Sequence, residues 1–524
     1  MRLAQWYYET KVQSAEHDSV HITLWRFAAT TFFKAPLMSK FADTMDYPRR
    51  LRSIEAAPRF LKTLNAESDF GSFVTSLKKD HGIKLVYCWH ALTGYWSGVH
   101  PASSSITKRN LETRSVRPSP MPGILRVEPQ LSWDPITLRE VAIPEVERVG
   151  ELYDNLYAYL RSCNVDGVKV DAQAAVTMLG SQSGGSAFTT SKFVRAMERS
   201  VTEHFGPENH CINCMCHPTE CLYSYQDTAV ARASDDFYPR DKASHATHLA
   251  NVAYNSLFIG EVVQPDWDMF QSKHPAAMLH AVARAVGGCA LYVSDKPGVH
   301  DFSVLRRLVL PDGSVLRACL PGRPTRDTLF LDVTSDARSA LKIWNRNACG
   351  GLLAAFNIQG SVWDKVTRQN RMSGVEPNVP ARLKPRDVEG LVRSPEDWFA
   401  VWATQWSPAG DLISSTLAIL SADDALEITL RSKESCIASF ARIHEARTRS
   451  GEQVKWAALG LEEMLNGGGA ILAEATAQLS DGSVGAKRVF INGEKATFSW
   501  EGGRSILRVP YDCGTEAHCD LLVA

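Results

Sequence analysis

Two short stretches of the chain carry residue types able to make and break a bond at carbon. Lys169 and Asp171, in Gly167-Val-Lys-Val-Asp-Ala-Gln, stand two apart, so on a strand both side chains leave the same face. A neighbouring lysine lowers an aspartate's pKa and keeps it ionised, and a partly desolvated carboxylate suits a nucleophile toward an electrophilic carbon. A structural ion pair at a strand end has the same spacing, and residue types alone leave both readings open. Arg232-Ala-Ser-Asp-Asp236 supplies two consecutive acids. Neighbours on extended chain point to opposite faces, so one of Asp235 and Asp236 enters a site while the other caps a helix or pairs with Arg240. Two carboxylates from separate strands facing one pocket, roughly 5–5.5 Å apart, are the minimum apparatus for cleaving a glycosidic bond with retention.

Other polar and aromatic residues fall near these acids in type. Cys211-x-x-Cys-x-Cys-His-x-x-x-Cys221 has the composition of a zinc site, but the sequence holds no second Cys-x-x-Cys knuckle. The simpler reading is that Cys216 and His217 place small polar groups in a pocket, and no metal or other cofactor is expected. Trp89-His-Ala-Leu-Thr-Gly-Tyr-Trp96 and Pro265-Asp-Trp-Asp-Met-Phe270 are aromatic loops with polar groups. They suit either a packed core or stacking on a sugar face, with Asp266 or Asp268 accepting from hydroxyls. Gly180-Ser-Gln-Ser-Gly-Gly-Ser186 reads as a flexible loop, since no lysine follows it as a phosphate cradle requires.

The elements that must position these residues come from the hydrophobic pattern. Short runs apolar on both faces read as buried parallel strands: Lys84–Trp89, Gly167–Asp171, Ile212–Cys216, Ala231–Asp235, Gly260–Pro265 and Cys289–Asp295. Amphipathic stretches between them, Ile143–Ser162, Ser191–Phe205, Thr247–Leu257 and Pro275–Val286, read as helices. Trp89, His90, Asp171, Cys216, His217, Asp235, Asp236, Asp266 and Asp295 then fall at strand ends, where a βα barrel gathers its active site. The expected fold class is α/β: a (β/α)8-type, TIM-like barrel, followed by an antiparallel β domain built from runs such as Leu341–Asn345, Gly351–Asn357 and Phe399–Ala403. Six strands are visible from residue 84, so the barrel is expected to be incomplete at its N-terminal end. His21–Phe27 is a weak further strand. A doubly wound sheet is the alternative, without a Gly-x-Gly-x-x-Gly or Walker loop to support it. The divisions expected are 1–50, a divergent segment; 51–339, the barrel; and 340–524, the β domain. Residues 364–396 read as a surface excursion.

Composition narrows the function classes. The 524 residues hold 57 Lys+Arg against 58 Asp+Glu, a net charge of −1, so no basic field draws nucleic acid or an anionic membrane. Apolar content of 44% and charged content of 22% are globular values. No apolar run of about 18 residues suggests a membrane span. The 12 cysteines form no disulfide-scaffold pattern, and the first residues read as neither a secretory signal nor a transit peptide, so a cytoplasmic location is expected.

At these residues the chain resembles the raffinose synthase/seed imbibition protein family, plant-type members related to glycoside hydrolase family 36. The resemblance is carried by Tyr87-Cys-Trp-His-Ala-Leu-Thr-Gly-Tyr-Trp-Ser-Gly-Val, Val165-Asp-Gly-Val-Lys-Val-Asp-Ala-Gln, Cys214-Met-Cys-His, Val230-Ala-Arg-Ala-Ser-Asp-Asp-Phe-Tyr-Pro, Gln264-Pro-Asp-Trp-Asp-Met-Phe-Gln-Ser, Tyr292-Val-Ser-Asp-Lys-Pro-Gly and Leu320-Pro-Gly-Arg-Pro-Thr-Arg-Asp. It implies a (β/α)8 barrel with a C-terminal β domain and retaining chemistry on α-galactosides. Asp171 resembles the nucleophile. The Arg-x-x-x-Asp motif puts the acid/base at Asp236, or at Asp235 in a shifted register. Substrate contacts are expected from Lys169, Arg232, Trp89, His90, Trp96, Cys216, His217, Asp266, Trp267 and Asp295.

In the implied mechanism Asp171 attacks the anomeric carbon while Asp236 protonates the departing oxygen. Asp236 then deprotonates the acceptor. With galactinol as donor and sucrose as acceptor the activity is raffinose synthesis. With water it is alkaline α-galactosidase hydrolysis of raffinose-type oligosaccharides. Arg232–Pro239 and Arg240-Asp-Lys-Ala-Ser-His look closer to the seed imbibition branch. Two segments that the family carries, Trp-Cys-Thr-Trp-Asp and Asp-Asp-Gly-Trp, do not occur in this sequence. Their absence raises a further reading, a truncated sugar-binding member with impaired catalysis.

Overall fold

The computed structural model describes residues 49–56, 69–101, 111–127, 140–309, 315, 317–347, 350–364 and 369–447, with the backbone of short strands between 453 and 523. The weak strand expected at His21–Phe27 lies outside the described residues. The chain divides into two compact units: residues 1–232 with 364–369, and residues 233–363 with 370–524.

In the first unit, helix α1 (Phe70–His81) starts where the Asp69 side chain accepts from the Ser72 N–H at 2.6 Å, and it ends at left-handed Gly82. Strand β1 (Tyr87–Ala91) follows; β2 (Thr113–Val116) and β3 (Val141–Pro144) form an antiparallel ribbon; then come α2 (Val149–Ser162), β4 (Gly167–Asp171), α3 (Ser186–Phe205), β5 (Cys211–Asn213) and β6 (Val230–Arg232). The parallel sheet runs β1-β4-β5-β6. Register aligns Trp89 with Lys169 and Ala91 with Asp171, while Cys88 and His90 align with Val168 and Val170. Aligned residues of parallel strands share a face, so the sheet has one polar face and one packed face. The packed face meets Tyr153, Leu156, Tyr157 and Leu160 of α2 and Phe193, Val194, Met197 and Val201 of α3 in one apolar cluster. Gly167 opens β4 because a Cβ there would lie 2.4 Å from the His210 carbonyl oxygen.

The second unit begins with α4 (Ser244–Ile259), β7 (Gln264–Asp266) and α5 (Ala277–Gly287), the last buried along its whole length. Short β8 (Arg323–Pro324) leads into β9 (Leu341–Arg346), β10 (Gly351–Phe356), β11 (Ser361–Asp364), β12 (Gln369–Met372), β13 (Val379–Leu383), β14 (Trp398–Trp406), β15 (Leu412–Ser421), β16 (Leu426–Leu430) and β17 (Ser435–Arg442). A six-stranded sheet has the order β15-β14-β17-β10-β9-β8, antiparallel at its paired registers. Leu353, Phe399, Val401 and Phe440 lie in its core. Parallel strands with helices, followed by antiparallel β structure, is the α/β order predicted from the sequence.

The element boundaries differ in informative places. The stretch predicted as one helix from Ile143 is strand β3 and then α2, because Val141–Pro144 is buried at every residue. The run from Gly260 yields only Gln264–Asp266, since Gly260 to Val263 bond back to the α4 terminus. Cys289–Asp295 contributes a single parallel bridge, Phe270 to Val293, in place of a strand. Among the described residues, no helix is long and apolar enough to cross a membrane.

Candidate active site

Asp171 is the last residue of β4, and its carboxylate is held at both oxygens. The Trp89 indole N–H donates to Oδ2 at 3.0 Å, and the Ala172 N–H donates to Oδ1 at 2.6 Å. Ala172 has φ 54°, the left-handed region, and that turn lets the following amide point back at its neighbour's side chain. Trp89 is 38% exposed and meets Tyr95 edge-on at 5.7 Å and Trp96 at 5.9 Å. Lys169 lies two residues before Asp171 on the same face, in register with Trp89 and with Ile212 of β5. The Cys216 thiol, which burial pushes up to about 12, bonds to Tyr225 and feels the charges of Arg232 and Asp171. The His217 Nε2–H donates to the Arg232 carbonyl at 2.5 Å. The structure thus gathers Asp171, Trp89, Trp96, Cys216, Arg232 and His217 within the first unit.

His90 is placed elsewhere. Its parity is opposite to that of Trp89, so it enters the packed face, where Nδ1–H donates to the Ala91 carbonyl and the Tyr157 hydroxyl donates to Nε2 at 2.9 Å. Burial lowers its pKa to about 4 and keeps the ring neutral. Cys211 and Cys221 are buried with thiols pushed up by desolvation, and a protonated thiol is a poor metal ligand. Among the described residues no group of three or more His, Cys, Asp or Glu side chains is arranged to hold a metal.

The second unit holds the remaining candidates. Asp235 and Asp236 are both exposed, and Asp235 accepts from Asn251 Nδ2 at 3.4 Å. The next residue, Phe237, is buried; its N–H donates to Asp268 Oδ2 at 2.8 Å, and its ring packs edge-on against His280 at 5.0 Å. Asp268 is wholly buried at φ 61°. Asp266 is buried as well, and the Tyr292 hydroxyl donates to its Oδ2 at 2.7 Å. Trp267 sits in the interior with its ring over Gly287, where a Cβ would come within 2.7 Å of the indole. The Trp267 carbonyl accepts from Arg284, a buried guanidinium that also donates to the carbonyls of Asp268 and Met269 and to His280 Nδ1. Asp295 accepts from the Ser272 N–H at 2.7 Å and the Ser272 hydroxyl at 2.6 Å, and lies 3.2 Å from His300 Nδ1. Burial raises the Asp295 pKa, but those Ser272 bonds and His300 outweigh it and the net shift is downward.

Sequence reasoning passed over Gln173, Asn213, Glu198 and Arg284. Their types are those of ordinary surface residues, and all four are buried. A glutamine directly after the Asp-Ala pair was visible; the partners that bury it were not.

The family model described as raffinose synthase or seed imbibition protein Sip1 matches residues 33–499. The chain is 44% identical over 409 residues to a probable galactinol–sucrose galactosyltransferase 1 of Arabidopsis thaliana, covering 77% of this chain and 52% of that protein. It is 34% identical over 476 residues to a galactinol–sucrose galactosyltransferase of Oryza sativa subsp. japonica, covering 84% and 58%. A stachyose synthase of Pisum sativum is 30% identical over 479 residues, covering 85% and 54%. The chain therefore spans about half the length of the curated relatives it matches. Among solved structures, a GH27 β-L-arabinopyranosidase from Geobacillus stearothermophilus aligns with a TM-score of 0.46 at 13% identity, over 75% of this chain and 82% of that one.

Proposed function

The chain belongs to the raffinose synthase or seed imbibition protein family, and from that premise we propose that it transfers an α-galactosyl group from galactinol to sucrose with retention. The observation that carries the reading is Asp171: a carboxylate at the end of a parallel strand, with a donor on each oxygen and an exposed indole beside it. Asp171 attacks the anomeric carbon as Asp236 gives its proton to the departing inositol oxygen. The sugar is then carried as an ester on Asp171, inverted at the anomeric carbon. Asp236 takes a proton from the acceptor hydroxyl, which attacks the same carbon and restores the configuration. Both steps conserve protons, so no cofactor is needed.

In this reading Trp89, Tyr95 and Trp96 offer the galactose ring an aromatic surface, and Lys169, Arg232, Cys216 and His217 take its hydroxyls. Asp266 and Asp295 serve as further acceptors for sugar hydroxyls. The catalytic domain is assigned to 51–339 and the closing β domain to 340–524, with the (β/α)8 barrel as the architecture. A cytoplasmic location belongs to the same proposal.

Purified full-length chain incubated with galactinol and sucrose should produce raffinose and free inositol, and Asp171→Asn should produce none. Hydrolysis of a chromogenic α-galactoside without transfer to sucrose would assign water as the acceptor and make the protein an α-galactosidase. Sugar binding without turnover in either assay would overturn the enzymatic reading.

A further inference from the structure

We infer that Gln173 is a positioning residue for Asp171, locking the left-handed turn at Ala172 whose N–H holds one carboxylate oxygen. The inference rests on Asp171 being the nucleophile and adds the group that aims it.

Gln173 has no exposed surface, and its amide is fully used. Nε2–H donates to the Val170 carbonyl at 3.1 Å and to Asn213 Oδ1 at 2.7 Å, while the Tyr225 hydroxyl donates to Oε1 at 2.7 Å. A carbonyl can only accept, so the amide has one orientation. The chain of bonds continues. Asn213 Nδ2 donates to Thr228 Oγ1 at 2.9 Å, and the Thr228 hydroxyl donates to Glu198 Oε1 at 2.6 Å. Glu198, 1% exposed on α3, accepts further from the N–H groups of Gln226 and Thr228, both at 2.9 Å. Every polar atom along this buried line is satisfied by another, so a side chain next to Asp171 is tied to a long helix of the same unit.

The tie matters because of what it restrains. A non-glycine residue at φ 54° is held against its own preference. Backbone bonds from Leu92 to the Asp171 carbonyl and from Ala174 to the Met215 carbonyl fix the peptides on either side, not the direction of the carboxylate. With Gln173 shortened or made apolar, the turn is free to relax toward right-handed geometry and the Ala172 N–H leaves Oδ1. The carboxylate is then aimed by Trp89 alone.

A galactose-configured epoxide tests this on the full chain. Its carbon–oxygen bond opens as Asp171 forms an ester with that carbon, and the freed oxygen takes a proton from the enzyme's acid. Gln173→Met should lower the limiting labelling rate about tenfold while changing the half-saturating concentration less than about twofold, a split that lost aim produces and general destabilisation does not. Amide hydrogen exchange over 170–176 should speed up in the same variant. Val201→Ala, which opens a core cavity on α3, should lose comparable thermal stability yet label at the wild-type limiting rate. If Gln173→Met does not fold, Tyr225→Phe removes one of the three bonds and should slow labelling about threefold. A wild-type limiting rate in Gln173→Met, or in Tyr225→Phe where only that variant folds, would overturn the inference, as would unchanged exchange. Absence of label on Asp171 in the wild-type chain would instead contradict the reading of Asp171 itself.

Discussion

Asp171 ends its strand with a donor on each carboxylate oxygen, whereas Asp236 stands exposed one residue before a buried anchor. In the first unit the restraint reaches the side chain: Trp89 and Ala172 fix where the oxygens point. In the second unit the residue that follows Asp236 is anchored: Asp268 holds the Phe237 amide and the histidine cluster holds the Phe237 ring. The two duties proposed for these residues accord with a half-buried Asp171 and an exposed Asp236. A nucleophile must meet one carbon along one line, and misaim of an ångström is costly. An acid/base must give a proton to one oxygen and take it from another, so it must come within hydrogen-bond reach of both.

The comparison can be broken first at its strongest point. Asp171→Asn should reduce galactosyl transfer by about 10^4-fold or more, measured as raffinose formed per enzyme. A residual rate within tenfold of wild type would remove the nucleophile from the first unit.

Replacing the second unit's acids one at a time should sharpen it. Asp236→Asn is expected to lose about 10^2–10^4-fold, most for donors with poor leaving groups, and Asp235→Asn only a fewfold. The reverse ranking would move the acid/base to Asp235 and separate it from the Phe237 anchor.

The packed face behind Asp171 predicts a pH effect on stability. Folded His90 takes up its proton only near pH 4, against 6.5 for the free residue, because burial disfavours the charged ring. Protonation therefore favours the unfolded chain. This contribution is fully present above pH 6.5, is lost progressively as pH falls to about 4, and amounts to about 3 kcal/mol. Urea unfolding of His90→Gln should show a shallower decline over that window, and parallel curves would contradict the assignment.

Smallest in the series is Trp89→Phe. It keeps an aromatic face but removes the indole donor to Asp171, and a hydrogen bond to a charged group is worth about 1.5–3 kcal/mol. About a tenfold loss in kcat with little change in KM is expected. A change confined to KM would make Trp89 a sugar platform and nothing more.

Much of this was legible beforehand. Gly167–Asp171 was bounded correctly because an apolar run between a glycine and a polar tip leaves little choice of register. The opposed parity of Trp89 and His90 was equally available, since adjacent strand residues cannot both face a site. Asp266 and Trp267, expected to meet substrate, are buried together with Asp268, and no alternation of residue types marks three consecutive buried positions. What the sequence could not reveal is long-range pairing. Gln173 finds its partners 40 and 52 residues away, and no local pattern marks them. The apolar character of Cys289–Asp295 alone reads as a strand, whereas Tyr292 from that run spends its hydroxyl on Asp266.

The account stands or falls on where the galactosyl group is carried. Trapping the full chain with a slow fluorinated galactosyl donor, then digesting with trypsin, should place the added mass on the peptide Val170–Lys192, at Asp171. An adduct on Ala233–Arg240, or turnover with no trapped adduct at all, would contradict it.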